Sequence, residues 1–246
     1  MLYSANDIAH FYSLLDELKK GLGGMRVLRN CTGRMDWPER GVYFFFEPCE
    51  FLPDRSTHRV VRVGTHAVSK GASSKLWGRL RTHRGGLTGS GNHRGSVFRR
   101  HVGAALIAKS EGALHAPTWG KGKSAPKNIR VKEEYLEREV SKYLGDMSLL
   151  WLAIQDESGP ASDRSYIEKN CIGLLTCSEG IIDSGSNNWL GRYSPQPTIR
   201  ASGLWNIDYI SREYCPKFLD VFAKYVDVTL GKCKQPLTVR KDLGLL

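Results

Sequence analysis

The sequence predicts an α+β fold: a small three-stranded sheet, mixed or antiparallel, flanked by helices, with a helical addition before it and a loop-rich addition after it. Three observations predict this. GVYFFFEP (41–48) and RVVRVGTHAV (59–68) are short, aromatic or β-branched runs bounded by turn residues, close enough to pair as an antiparallel hairpin. MSLLWLAI (147–154) is a third, continuously apolar run of strand length. Elsewhere apolar residues recur at helical spacing. The chain has 246 residues, 41% of them apolar, with six Trp, ten Tyr and eight Phe, enough for one large packed domain and against whole-chain disorder.

Taken in order, Ile8, Phe11, Leu15 and Leu18 define the first helix, with Ser4 or Asn6 as its cap and Gly21, Gly23 and Gly24 at its end. After the hairpin, KLWGRLRTHRGG reads as a helix with Leu76, Trp77 and Leu80 inward and Gly85–Gly86 as its stop. Arg79 and His83 stand four apart, on one face. GSVFRRHVGAALIAK predicts another helix, residues 110–130 an exposed loop, and VKEEYLEREVSKYL a helix charged all round. Past the third strand, Gly159 and Pro160 signal a turn and Asp163 caps a helix to about Cys177, with Ile167, Cys171, Leu174 and Leu175 inward. A short helix is expected near 215–226. The expected organisation is a helical extension (1–40), a core (41–178) with an insertion at about 110–146, and a C-terminal extension packed on the core (179–246).

No apolar run approaches the roughly 20 residues of a membrane helix, and the N-terminus lacks the order of a secretory signal, which predicts a cytoplasmic protein. The six cysteines form no CxxC pair, which argues against structural zinc and favours free thiols.

Charge narrows the function. The chain carries +11. Arg55 to His101 holds eleven Lys or Arg, no Asp or Glu, and five of the seven histidines. Surfaces normally mix signs, so this window predicts a polyanionic partner, nucleic acid, whose phosphates release counterions on binding. TGSGNHRGSVFRRH within it offers glycine backbone N–H groups plus Asn92, His93, Arg94, Arg99 and Arg100 as a clamp on a phosphate backbone, with Lys70 and Lys75 as further contacts. A flexible basic loop is the competing reading.

Singly, Tyr43 reads as a core aromatic, Arg79 and His83 as a solvated basic face, and Glu168 as one of several acids near a helix start, with Glu134, Glu137 and Glu139 as rivals for a metal. As an ordered set they resemble the GIY-YIG nuclease superfamily, over roughly residues 41–178. Gly41-Val42-Tyr43 matches its first strand motif and Arg62-Val63-Gly64 its second, where Arg62 replaces the usual Tyr. Arg79 and His83 match the following helix, and Glu168 in DRSYIEKNCIGLL the metal-binding acid. The layout is most similar to the restriction-enzyme branch. The resemblance implies a DNA endonuclease using Mg²⁺ or Mn²⁺ held by Glu168, with Tyr43 as general base or water-orienting group, Arg79 stabilising the transition state, and His83 contacting the water, Tyr43 or the phosphate. Such residues suit the chemistry: an Arg fork fits phosphate oxygens, and Mg²⁺ needs few protein carboxylates. The family's late Asn has three candidates, Asn187, Asn188 and Asn206. Strand alternation sets Arg62 on the face of Val60 and Gly64. An Arg there either supports Tyr43 or marks a silenced site, so a non-catalytic nucleic-acid-binding protein is the alternative; an RNA-binding role is a weaker third.

Overall fold

In the computed structural model, the described residues are 5–159, 161–177, 185–234, 239–242 and 244. Ser4 and Pro160, named above as cap and turn signal, lie outside them. The helices are α1 (Ala5–Gly21), α2 (Leu76–Arg84), α3 (Val97–Lys109), α4 (Lys127–Gly145), α5 (Asp163–Cys177), α6 (Pro197–Ser202), α7 (Phe218–Thr229) and α8 (Val239–Asp242). The strands are β1 (Arg26–Val27), β2 (Gly41–Phe51), β3 (His58–Gly64) and β4 (Ser148–Ala153).

Among the described residues the sheet has four strands, not the expected three, in the order β1-β4-β2-β3, and every pairing is antiparallel. The added strand, Arg26–Val27, is too short to show any periodicity in sequence. β2 is central because both of its faces are apolar. Val42, Phe44 and Phe46 face a layer built from α1, α5 and α7, while Tyr43 and Phe45 face a layer built from α2, α3 and α4. Gly41 is required where β2 meets β4: a Cβ there would sit 2.1 Å from the Leu152 carbonyl oxygen.

Two sequence expectations are corrected. Val60 and Arg62 do not share a face. The β2–β3 register shifts between Phe45 and Phe46, so Val60 packs with Phe44 in one core while Arg62 pairs with Phe45 and lies over Phe98 in the other. A bulge carries an extra residue and so breaks alternation. The α4 helix is not charged all round either. It buries Glu133, Leu136, Glu137, Val140, Ser141 and Leu144, an inward stripe at helical spacing that includes two carboxylates.

The free edge of β3 is covered by the chain near residue 205. Trp205 donates its backbone N–H to the Val61 carbonyl, and the Asn206 side chain bonds both the N–H and the carbonyl of Val63. Trp205 is held in turn by Glu47, whose carboxylate accepts the indole N–H groups of Trp189 and Trp205 and the Tyr143 hydroxyl. Glu47 is buried, and burial pushes its carboxyl above the usual range.

Candidate active site

A cleft of about 220 Å³ opens where β3 ends, lined by Tyr43, Arg62, Thr65, Arg79, Glu168, Asn206 and Asp208 among others. Tyr43 pairs with Gly64 across the hairpin, and its ring occupies the space a side chain at 64 would need: a Cβ there would lie 2.4 Å from the Tyr43 hydroxyl. The bare glycine of the second strand motif is thus what admits the tyrosine of the first.

The Tyr43 hydroxyl is 2.8 Å from Nε2 of His83, and the other ring nitrogen, Nδ1, is 2.8 Å from the Ser96 hydroxyl. His83 is fully buried among Phe45, Phe98 and Tyr43. Burial, aided by Arg79, Arg62 and Arg99, holds it well below its ordinary proton affinity, so it is neutral at physiological pH. One nitrogen therefore donates and the other accepts.

Arg62 donates to the Trp205 carbonyl at 2.7 Å and rests on the Phe98 ring, with its Nε buried and unpartnered. Burial lowers its proton affinity, while Tyr43 and Glu168 act to raise it. The Nε of Arg79 is also buried without a protein partner. Two guanidiniums with unused donors at one cleft suit a phosphate. Glu168, on α5, accepts the Thr65 N–H at 3.2 Å. Burial raises its carboxyl to about 7, against the opposing pull of Arg62 and Arg79.

The structure thus brings Tyr43, Arg62, Arg79, His83 and Glu168 together. Of the three late asparagines, Asn206 lines this cleft, whereas Asn187 and Asn188 are exposed outside it. Asp208, Thr65 and Ser96 escaped sequence reasoning. Asp208 has one visible cue, two residues from Asn206; Thr65 acts through its backbone, and Ser96 has no signal beyond being a helix cap.

The expected phosphate clamp needs revision. Arg99 is wholly buried: it grips the Glu137 carboxylate at 2.5 Å and also donates to the His83 carbonyl and the Ser141 hydroxyl. His93 is buried, bonds the same carboxylate at 2.9 Å and stacks on Trp119. Arg94 forms a two-pronged pair with Glu133. These three side chains are spent on partners within the protein. Asn92, Lys70 and Lys75 remain exposed and Arg100 partly so, although Asn92 caps a turn and Lys75 pairs with Glu39 at 2.6 Å. Replacing Arg99 by alanine strands Glu137 in the interior and is expected to cost about 3–5 kcal/mol. Denaturant unfolding measures this; an unchanged stability with weakened DNA binding would instead restore Arg99 to the clamp.

The donor set fits a hard divalent cation. Glu168 offers a carboxylate using a single protein N–H, and Asp208 adds negative charge nearby. Among the described residues no three His, Cys, Asp or Glu side chains cluster as a metal cage. Such an ion would keep most of its waters, as Mg²⁺ prefers.

A protein-family model described as the GIY-YIG domain matches residues 3–231, and the chain belongs to that family. The family consists of endonucleases, generally dependent on a divalent metal, so the fold is that of a nuclease acting on nucleic acid. No curated protein and no solved structure matches the chain. Among the described residues no helix is long and apolar enough to cross a membrane.

Proposed function

We propose that this chain is a divalent-metal-dependent endonuclease that hydrolyses phosphodiester bonds in double-stranded DNA, in the cytoplasm, in restriction or defence. The supporting observation is the convergence of Tyr43, Arg62, Arg79 and Glu168 on one cleft, with the buried His83 bonded to Tyr43 behind it. Arg79 and Arg62 supply donors to the scissile phosphate. Tyr43 takes a proton from the attacking water as its own passes to His83 Nε2, and the bound phosphate anion offsets the arginine charges that add to burial in keeping His83 neutral. A bond forms between water oxygen and phosphorus, the bond to the leaving oxygen breaks, and that oxygen takes a proton from solvent. A divalent ion bound at Glu168 supplies charge neutralisation at the phosphate and leaving oxygen. Lys70, Lys75, Asn92 and Arg100 are proposed as contacts to the flanking backbone.

Plasmid DNA with Mg²⁺ or Mn²⁺ tests the reading. The wild type should nick or linearise it, and Tyr43→Phe and Glu168→Ala should not. Equal cutting by all three sinks the assignment. Salt-sensitive DNA binding with no cutting by any of them selects the non-catalytic alternative.

A further inference from the structure

We infer that Ser96 is a positioning residue for the reaction: its oxygen accepts the Nδ1 proton of His83, which leaves Nε2 bare to receive the Tyr43 proton. The inference rests on the nuclease reading for its purpose but not for its geometry.

The Ser96 oxygen lies 2.8 Å from Nδ1 and caps α3 by accepting the Arg99 N–H at 3.2 Å. Its backbone N–H is fixed on the His93 carbonyl at 3.1 Å. His83 and Ser96 are both sealed from solvent, so no water competes for either ring nitrogen. Arg99 holds both ends of the contact: its side chain donates to the His83 carbonyl at 2.9 Å, and its N–H meets the Ser96 oxygen. The buried Glu137 carboxylate, tied also to His93, keeps that guanidinium in place.

The direction of the proton follows from what faces the ring. Tyr43 approaches from β2, Arg62 from β3, Arg79 from α2, Arg99 from α3 and Ser96 from the cap before it. Arg62 can only donate, and its charge interacts with the Tyr43 oxygen. A phenol oxygen facing that donor turns its own O–H toward Nε2. The neutral ring then carries its proton on Nδ1, and the two lone pairs of the Ser96 oxygen take Nδ1–H and the Arg99 N–H. In the opposite tautomer Nε2–H points at Tyr43, and the ring cannot receive the phenol's proton. When Tyr43 releases it, the O–H bond breaks, an Nε2–H bond forms, and the ring becomes an imidazolium that Ser96 still holds. The incoming proton from water restores the phenol. After product leaves, the Nε2–H bond breaks as the ring returns its proton to the Tyr43 oxygen, whose own proton passes to solvent in the cleft.

The test uses full-length protein with ¹⁵N-labelled histidine. Long-range ¹⁵N–¹H correlation reads the His83 tautomer, assigned by its loss in His83→Asn, alongside steady-state cutting. Ser96→Thr keeps the hydroxyl, and Ser96→Gly removes it at a cap position that tolerates glycine. Wild type and Ser96→Thr should both show Nδ1–H and similar kcat. Ser96→Gly should lose the fixed tautomer, with kcat down on the order of 10–100-fold and KM unchanged. An Nε2–H ring in the wild type, or Ser96→Gly with both Nδ1–H and full kcat, overturns the inference. The spectrum needs no substrate. If the wild type does not cut, the nuclease reading fails on its own and the tautomers of wild type and Ser96→Gly still decide the role of Ser96.

Discussion

Replacing Glu168 by glutamine is expected to give a protein that no longer cuts DNA yet melts at a higher temperature. Loss of the carboxylate removes the proposed anchor for a divalent ion whose charge stabilisation is worth several kcal/mol, so the rate should fall roughly a thousandfold or more. The gain in stability comes from burial. In the metal-free protein the Glu168 carboxyl is held up to about 7, while in the unfolded chain it ionises near its ordinary 4.5. Between those values the folded protein keeps a proton that the unfolded chain has released, so stability falls as pH rises through this window. The deficit is complete above about pH 7 and absent below about 4.5. It amounts to on the order of 3 kcal/mol, reduced by whatever water reaches the half-buried side chain. Glutamine carries no charge to desolvate. Melting in EDTA at pH 8 should therefore rise by several degrees, and the difference should vanish near pH 4.5. A variant that melts no higher than wild type at pH 8 would mean that Arg62 and Arg79 already compensate the carboxylate in full. A site that weakens its own fold until its ligands arrive is the usual trade of function against stability.

Gly64→Ala should be nearly as damaging to activity, through geometry alone. The added methyl would sit 2.4 Å from the Tyr43 hydroxyl and 2.6 Å from its ring edge. Tyr43 is fully buried, hemmed by Phe45 and His83, and cannot swing away without breaking its 2.8 Å bond to His83. Displacing a reacting group by about 1 Å costs roughly 100-fold in rate, and overpacking of this kind about 1–3 kcal/mol of stability. Gly78→Ala, where the methyl meets nothing within 4 Å, is the control and should be neutral or slightly stabilising. Full cutting by Gly64→Ala would show that Tyr43 need not stand where it does.

Much of the candidate site was legible because its residues sit in short motifs carried by periodic elements. Gly41, Tyr43 and Gly64 lie on strands whose aromatic runs declare them. Arg79 and His83 are one helical turn apart, and Glu168 lies on a capped helix after an apolar strand. Other features depend on contacts distant in sequence. The acid-free window looked uncompensated because its partners come from elsewhere: Glu50 for Arg59, Glu133 for Arg94 and Glu137 for Arg99. Counting charge along the chain cannot see carboxylates that α4 delivers from about forty residues away. The same blindness made α4 look like a surface helix, since buried glutamates read as polar until their arginines are known. The register shift that sends Val60 to the face opposite Arg62 leaves no mark in a run of valines and arginines, and the choice of Asn206 waited on β3 having an edge for it to cover.

That covered edge bears on how the protein can be divided. A fragment trimmed to residues 41–178 would hold every proposed catalytic side chain, yet it would leave β3 with bare N–H and carbonyl groups where Trp205 and Asn206 had paired. An exposed strand of this kind is a template for another copy of itself. The fragment would also lose the Trp205 carbonyl that steadies Arg62. Such a piece is expected to self-associate and precipitate, so the proposed role of the last quarter of the chain is to guard solubility and to steady Arg62 at once.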